Sequence, residues 1–95
     1  MRHVIVAEWT ADSTATEQAH AVACLKALPL TVPQIITYTV GSDIGVTSGN
    51  SDWGLVGEFA SVDDFQAYEA SVAHQACLAL LKPILEKKVG LEFKL

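Results

Sequence analysis

Apolar residues, many of them β-branched or aromatic, fill four short stretches of the chain, and they recur at spacings of three and four along two others. The four stretches predict strands at residues 2–9, 34–40, 53–59 and 89–95, the last with strict alternation of apolar residues. Helical spacing predicts a helix at 14–28 and helical structure from Ser61 to Leu81, bent near Ser71 and Val72. The order β-α-β-β-α-β predicts one α+β domain over residues 1–95, a ferredoxin-like antiparallel sheet with its helices on one face.

Both faces of the first predicted strand are largely apolar. Val4 and Val6 lie on one face, while His3, Ile5 and Ala7 lie on the other. Helices on one side of the sheet cover only one of these faces, and a 95-residue chain that is 51% hydrophobic has little interior to spare. We therefore expect a homodimer through the face with Val4 and Val6, which closes a dimeric α/β barrel.

The second predicted strand places Ile36, Tyr38 and Val40 on one face by strict alternation. The next twelve residues, 41–52, are rich in Gly, Ser, Asp and Asn, which favour turns. A connection of this length is long for a compact domain. We therefore expect this loop to cover a site.

Composition narrows the function classes. The net charge of −5 disfavours nucleic acid as a partner, and no apolar stretch reaches the roughly 20 residues that span a membrane. Glu8 interrupts the N-terminal apolar run too early for a signal peptide, so we expect a cytoplasmic protein. Cys24 and Cys77 lie among apolar residues at helical spacing, which is typical of buried thiols and predicts neither a metal site nor a disulfide.

Several segments, in order and spacing, resemble the stress-responsive A/B-barrel (Dabb) family over His3 to Phe93. The resemblance rests on the opening Arg-His-Val-Ile-Val, the glycines of the 41–52 loop, the run from Phe59 to Tyr68, and Ala-His-Gln followed by Leu-Lys-Pro. It implies a dimeric α/β barrel with a cavity between sheet and helices in each protomer. Many members have no assigned activity, whereas polyketide cyclases of the olivetolic acid cyclase type close a poly-β-keto chain by aldol condensation.

The residues that those cyclases use match His3, Tyr68 and His74 here. The resemblance further implies a pocket wall of Ile5, Ala7, Ala21, Val22, Leu25, Tyr38, Ile44, Cys77, Leu78 and Leu85. The chain departs from the family at Ser71-Val72-Ala73-His74, where His-Pro-Ala-His is common. No cofactor and no metal are implied, and the aliphatic wall predicts a small apolar, aromatic or keto molecule as substrate.

The chemistry leaves two hypotheses open. In a cofactor-free cyclase or lyase, His74 would be the general base, because an imidazole titrates near neutral pH. Tyr68 would orient it or stabilise a developing oxyanion, and His3 would contact a substrate carbonyl. In the alternative, the chain is a non-catalytic, dimeric, stress-responsive or ligand-binding protein, with Tyr68 as a core residue and His74 satisfied by a backbone carbonyl.

Overall fold

The predicted strands form one antiparallel sheet in the computed structural model, which describes residues 1–95. The strands are β1 (Arg2–Trp9), β2 (Ile35–Ser42), β3 (Trp53–Phe59) and β4 (Leu85–Phe93), in the order β2-β3-β1-β4. The helices are α1 (Ala15–Ala27), α2 (Val62–Ala70) and α3 (Val72–Leu81), with 3₁₀ turns at Leu28–Leu30 and Lys82–Ile84. The α+β ferredoxin-like fold is confirmed.

Local signals in the sequence explain where the helices begin. The side chain of Thr14 accepts a hydrogen bond from the amide of Glu17, whose carboxylate accepts one from the amide of Thr14. This reciprocal capping starts α1. The Ser61 hydroxyl accepts from the amide of Asp64 at the start of α2, and Pro83 lies in the turn that follows α3.

The helices cover the sheet face that carries His3, Ile5 and Ala7. Large side chains from sheet and helices meet there and are almost wholly buried, including Leu25, Leu55, Phe59, Tyr68 and Leu81. Phe59 packs edge-on against Phe65 and lies 4.9 Å, centroid to centroid, from Tyr68. This aromatic cluster fixes α2 on the sheet.

The opposite face is uncovered in the protomer, and we call it the open face. Val4 is paired in register with Val56 on one side and Leu91 on the other, and Val6 with Val89, so these apolar side chains form one surface. Several are between two-fifths and three-fifths exposed. The open face comprises Val4, Val6, Val56, Val89, Leu91 and Phe93.

Two expectations about strand geometry are wrong. The β2–β3 register shifts between Ile35 and Thr37, so this bulge packs Ile35 on the core and leaves Ile36 exposed, not beside Tyr38 and Val40. The last strand begins at Leu85 and not at Val89, because its backbone pairs with β1 back to Trp9 despite a charged sequence.

The loop after β2 does not cover the helix-side cavity. Asp52 anchors it to β1, since its amide donates to the Ala7 carbonyl and its carboxylate accepts from the amide of Trp9. Gly45 and Gly49 have φ of 77° and 84°, the left-handed region that glycine adopts without strain. The loop borders an open groove on the other side of the sheet, next to Val6 and Gly54.

Candidate functional site

A cavity of about 200 Å³ lies between the helix-covered face of the sheet and helices α1, α2 and α3. Eight of its thirteen wall residues are hydrophobic. Seven residues expected at the site meet in this wall, namely His3, Ile5, Leu25, Tyr68, His74, Leu78 and Leu85. The three residues expected to carry the chemistry therefore share one enclosure.

Six residues expected in the wall lie elsewhere. Ala7, Ala21 and Cys77 are packed in the core and do not line the cavity. Val22 lines a separate groove beside α1, and Tyr38 lies behind Tyr68. Ile44 lies in the loop after β2, is 86% exposed and does not line the cavity.

Six wall residues were not expected. They are Trp53, Leu55, Glu69, Leu81, Lys82 and Lys88. Leu55 pairs with Ile5 and Trp53 with Ala7, so the alternation of β3 together with the strand order would have found them. The indole nitrogen of Trp53 is buried without a hydrogen-bond partner, and its ring stacks on Trp9 at 5.2 Å.

Ser71 joins α2 to α3 and brings Tyr68 and His74 together. Its backbone is extended, with φ −62° and ψ 146°, which ends one helix and begins the next. Its hydroxyl donates to the Tyr68 carbonyl at 2.7 Å and accepts from the His74 amide at 3.1 Å. The bend expected here is present, and it leaves the two rings 4.4 Å apart, centroid to centroid.

His74 is held with one ring nitrogen free. Its Nδ1 lies 3.1 Å from the Glu69 carbonyl oxygen, which can only accept, so Nδ1 carries the proton. Nε2 has no hydrogen-bond partner in the chain. Burial lowers the pKa of His74 below 6.5, opposed by the hydrogen bond to Glu69. At neutral pH the ring is therefore uncharged, with a lone pair on Nε2.

His3 is oriented in the same way by a different partner. Its Nδ1 lies 2.9 Å from a carboxylate oxygen of Glu92, the residue opposite it across the β1–β4 pairing. His3 is buried, and its ring lies 4.8 Å from that of Phe65. Since the carboxylate accepts, Nδ1 donates and Nε2 has no partner. Glu92 was missed because it lies 89 residues away in the chain.

Tyr68 bonds to Tyr38 and not to His74. The two hydroxyl oxygens lie 2.7 Å apart, and the orienting role expected of Tyr68 is instead performed by the Glu69 carbonyl. Burial raises the pKa of Tyr68 to about 12 and that of Tyr38 further, so both phenols are neutral. One hydrogen bond uses one of their two hydroxyl protons, and the other proton has no acceptor in the protein.

The remaining candidate groups do not form a second site. Cys24 and Cys77 are both free thiols, and burial, with a hydrogen bond to Cys24, raises the pKa of Cys77 to about 12. No group of three His, Cys, Asp or Glu side chains converges in a way that could hold a metal ion. None of the helices has the length and apolar character needed to cross a membrane.

Comparisons with solved structures show the fold in other organisms. A dimeric ferredoxin-like protein from Thermobifida fusca is 31% identical, with a TM-score of 0.92 over 99% of this chain and 89% of that one. A dimeric protein from Bacteroides fragilis is 22% identical, with a TM-score of 0.80 over 97% and 94%. A hydroxynitrile lyase from Passiflora edulis is 20% identical, with a TM-score of 0.84 over 95% and 87%.

The sequence was also compared with curated proteins and with models of protein families. No curated protein matches the chain. The model of the stress-responsive A/B-barrel domain, by contrast, matches residues 1–95. The resemblance that the sequence motifs suggested is therefore confirmed over the whole length: the chain belongs to the stress-responsive A/B-barrel (Dabb) family.

Proposed function

We propose that the protein is an enzyme of lyase or polyketide-cyclase type that acts on a small carbonyl compound with its own side chains as acid and base. One observation carries this proposal: His74 is neutral, its Nδ1 proton is fixed on Glu69, and Nε2 is unpaired at a mostly apolar cavity. A neutral imidazole with its proton held by the backbone and its second nitrogen unpaired is the arrangement that a general base needs.

The first step is removal of a proton from the carbon next to a ketone by Nε2 of His74. The enolate that forms needs a hydrogen-bond donor. When Tyr38 donates to Tyr68, the hydroxyl proton of Tyr68, which lines the cavity, supplies one. A neutral phenol whose pKa is raised to about 12 keeps that proton at neutral pH. Burial that weakens a phenol as an acid thus keeps it available as a donor.

Ring closure needs no further reactant. The enolate carbon attacks a second carbonyl carbon of the same molecule, a carbon–carbon bond forms, and the carbonyl π electrons become an alkoxide. His74 returns its proton to that oxygen, so atoms and charge balance. His3, held by Glu92, contacts the second carbonyl and donates from Nε2 when its ring is protonated.

The same groups also serve the reverse direction. His74 takes a hydroxyl proton, the oxygen becomes a carbonyl as the adjacent carbon–carbon bond breaks, and the electron pair of that bond leaves on the other fragment, which takes the proton back from His74. The hydroxynitrile lyase of the same fold supports lyase chemistry on such a scaffold. The reaction class proposed here therefore covers bond formation and bond cleavage at a carbonyl carbon.

The test uses matched histidine variants. We expect His74→Gln to lower kcat roughly 10²- to 10⁴-fold on any substrate found by screening β-keto and aromatic carbonyl compounds. His20→Gln is the control, since His20 is exposed on α1 and does not line the cavity. Equal activity of the two variants would remove His74 as the base.

The alternative of a non-catalytic ligand-binding protein has one observation in its favour. Tyr68 is only 2% exposed and its hydroxyl is already bonded, as a core residue would be, while His74 meets the expected backbone carbonyl. In that case no screened compound turns over, and His74→Gln binds cavity ligands as the parent chain does. Binding by calorimetry beside turnover separates the two functions.

For assembly, we propose a homodimer through the open face, centred on Val4 and Val6. The apolar side chains there are partly exposed in the protomer, and two structural neighbours are described as dimeric. Light scattering at micromolar concentration should give twice the chain mass of 10.2 kDa. A single-chain mass would contradict the dimer without affecting the assignment of His74.

A further inference from the structure

Two lysines reach the cavity from different elements. Lys82 follows the last residue of α3, and Lys88 lies on β4. Lys88 is paired in register with Ala7, so its side chain lies on the helix-covered side of the sheet. Lys87, its neighbour, is paired with Glu8 and lies on the opposite side. Both lysines line the cavity and are also exposed, so they border it where it meets solvent.

Neither lysine forms an ion pair within the chain. The ion pairs of the chain are Arg2–Glu58 and His3–Glu92, and neither involves a lysine. Glu69 also lines the cavity, but its carboxylate lies beyond 4 Å of both ammonium groups. In a chain with a net charge of −5, two free cations therefore border a wall that is otherwise mostly apolar.

We propose that the compound bound at this site is a small carboxylic acid, with its carboxylate held at the mouth by Lys88 and Lys82 and its apolar or carbonyl part inside against His74. The inference deepens the proposed function by naming its substrate class. That the bound acid reacts at His74 rests on the proposed function. Binding of an anion with an apolar tail depends on the lysines and the cavity alone.

The arrangement suits a carboxylate better than a neutral group. An anion at the mouth stays partly hydrated, so it gains attraction from two cations without the full cost of burying a charge. Its apolar part fills the wall of aliphatic and aromatic side chains. A neutral amide of the same shape gains only the second contribution.

The test compares benzoate with benzamide, which have nearly the same shape and differ in charge. Trp53 lines the cavity and stacks on Trp9, so tryptophan fluorescence reports occupancy. At about 20 mM salt and neutral pH we expect benzoate to bind roughly tenfold more tightly than benzamide, with the difference shrinking as salt screens the charges.

Three variants show which residue causes the preference for benzoate over benzamide. Lys88→Met should reduce it to about twofold or less, and Lys88→Arg should retain it, because the positive charge stays. Lys87→Met is the matched control, since it removes an equal charge from the same strand on the other side of the sheet. A preference unchanged by Lys88→Met, or reduced equally by Lys87→Met, overturns the proposal.

The remaining outcomes are also decisive. Equal affinity of the parent chain for benzoate and benzamide overturns the proposal, and so does binding of neither compound up to about 20 mM. His74→Gln should keep the preference for benzoate, because the ammonium groups remain. Loss of turnover in His74→Gln with the preference retained supports His74 as the base and leaves the carboxylate site intact. Loss of the preference in Lys88→Met with turnover retained supports the carboxylate site and leaves the base intact.

Discussion

Side chains alternate between the two faces along every strand, and both faces carry apolar residues. In the protomer, however, only the face under the helices is buried. On the helix side, Phe59 is 1% exposed among other aromatic rings. On the open face, Phe93 is 39% exposed beside half-exposed valines. The alternation specifies which residues share a face, whereas the number of covering elements decides which face is buried. Ninety-five residues supply one layer of helices, and the second face stays uncovered in the protomer.

The largest expected contrast comes from truncating the same residue type on the two faces. Phe59→Ala should lower the free energy of unfolding by about 3–5 kcal/mol, because it leaves a cavity in a packed cluster. Phe93→Ala should cost about 1 kcal/mol or less in a protomer, since its ring already contacts solvent. Urea unfolding of both variants at low protein concentration measures the difference. Equal losses would mean that the open face is already buried.

A charge on the open face should act on assembly more than on folding. Leu91→Lys is expected to weaken a dimer about a hundredfold, because an unpaired ammonium would be buried at its centre. Val46→Lys is the control, as Val46 is exposed in the loop after β2. Sedimentation equilibrium gives both dissociation constants. An unchanged constant for Leu91→Lys would move the interface elsewhere.

The sequence predicted the sheet, its faces and the shared cavity of His3, Tyr68 and His74, because these depend on periodicity and on spacing within one or two elements. It did not predict the exposure of Ile36, since a bulge breaks the alternation without any glycine or proline to mark it. It also did not predict that Glu92 holds His3 or that Tyr38 bonds to Tyr68. Both contacts join residues far apart in the chain, so strand order had to be known first.

Replacing each of two capping serines should separate an effect on folding stability from an effect on the geometry of the site. Ser71→Ala and Ser61→Ala each remove a side chain that caps a helix, and each should cost about 0.5–2 kcal/mol of unfolding free energy. Only Ser71 also fixes the relation between Tyr68 and His74. We therefore expect a larger fall in turnover for Ser71→Ala at equal stability, measured by thermal melts and kinetics together.

The smallest expected effect is the change of folding stability with pH that His74 causes on the helix-covered side of the sheet. Because burial lowers the pKa of His74 in the folded protein, the unfolded chain binds the proton more readily. The contribution of His74 to stability is complete above about pH 6.5 and is lost as pH falls from there through its folded pKa. Glu69, His3 and Lys88 surround the ring and modulate this value.

The comparison of two variants isolates that contribution. His74→Gln should flatten the fall in melting temperature between about pH 7.5 and pH 5, whereas His20→Gln, exposed on α1, should not. A parent-like slope in His74→Gln would mean that another group is responsible for the acid sensitivity. No change at the open face is expected in this range, because no histidine lies there.

The outer edge of β4 has a consequence for the behaviour of the chain at high concentration. This strand pairs only with β1, so its other side carries free amide and carbonyl groups that could recruit a foreign strand. On its helix-facing side it carries Lys88, Gly90 and Glu92 in succession, two opposite charges around a glycine. Such an edge is a poor template for fibre growth. Lys88 at the cavity and Glu92 on His3 therefore also disfavour pairing of this edge with a foreign strand.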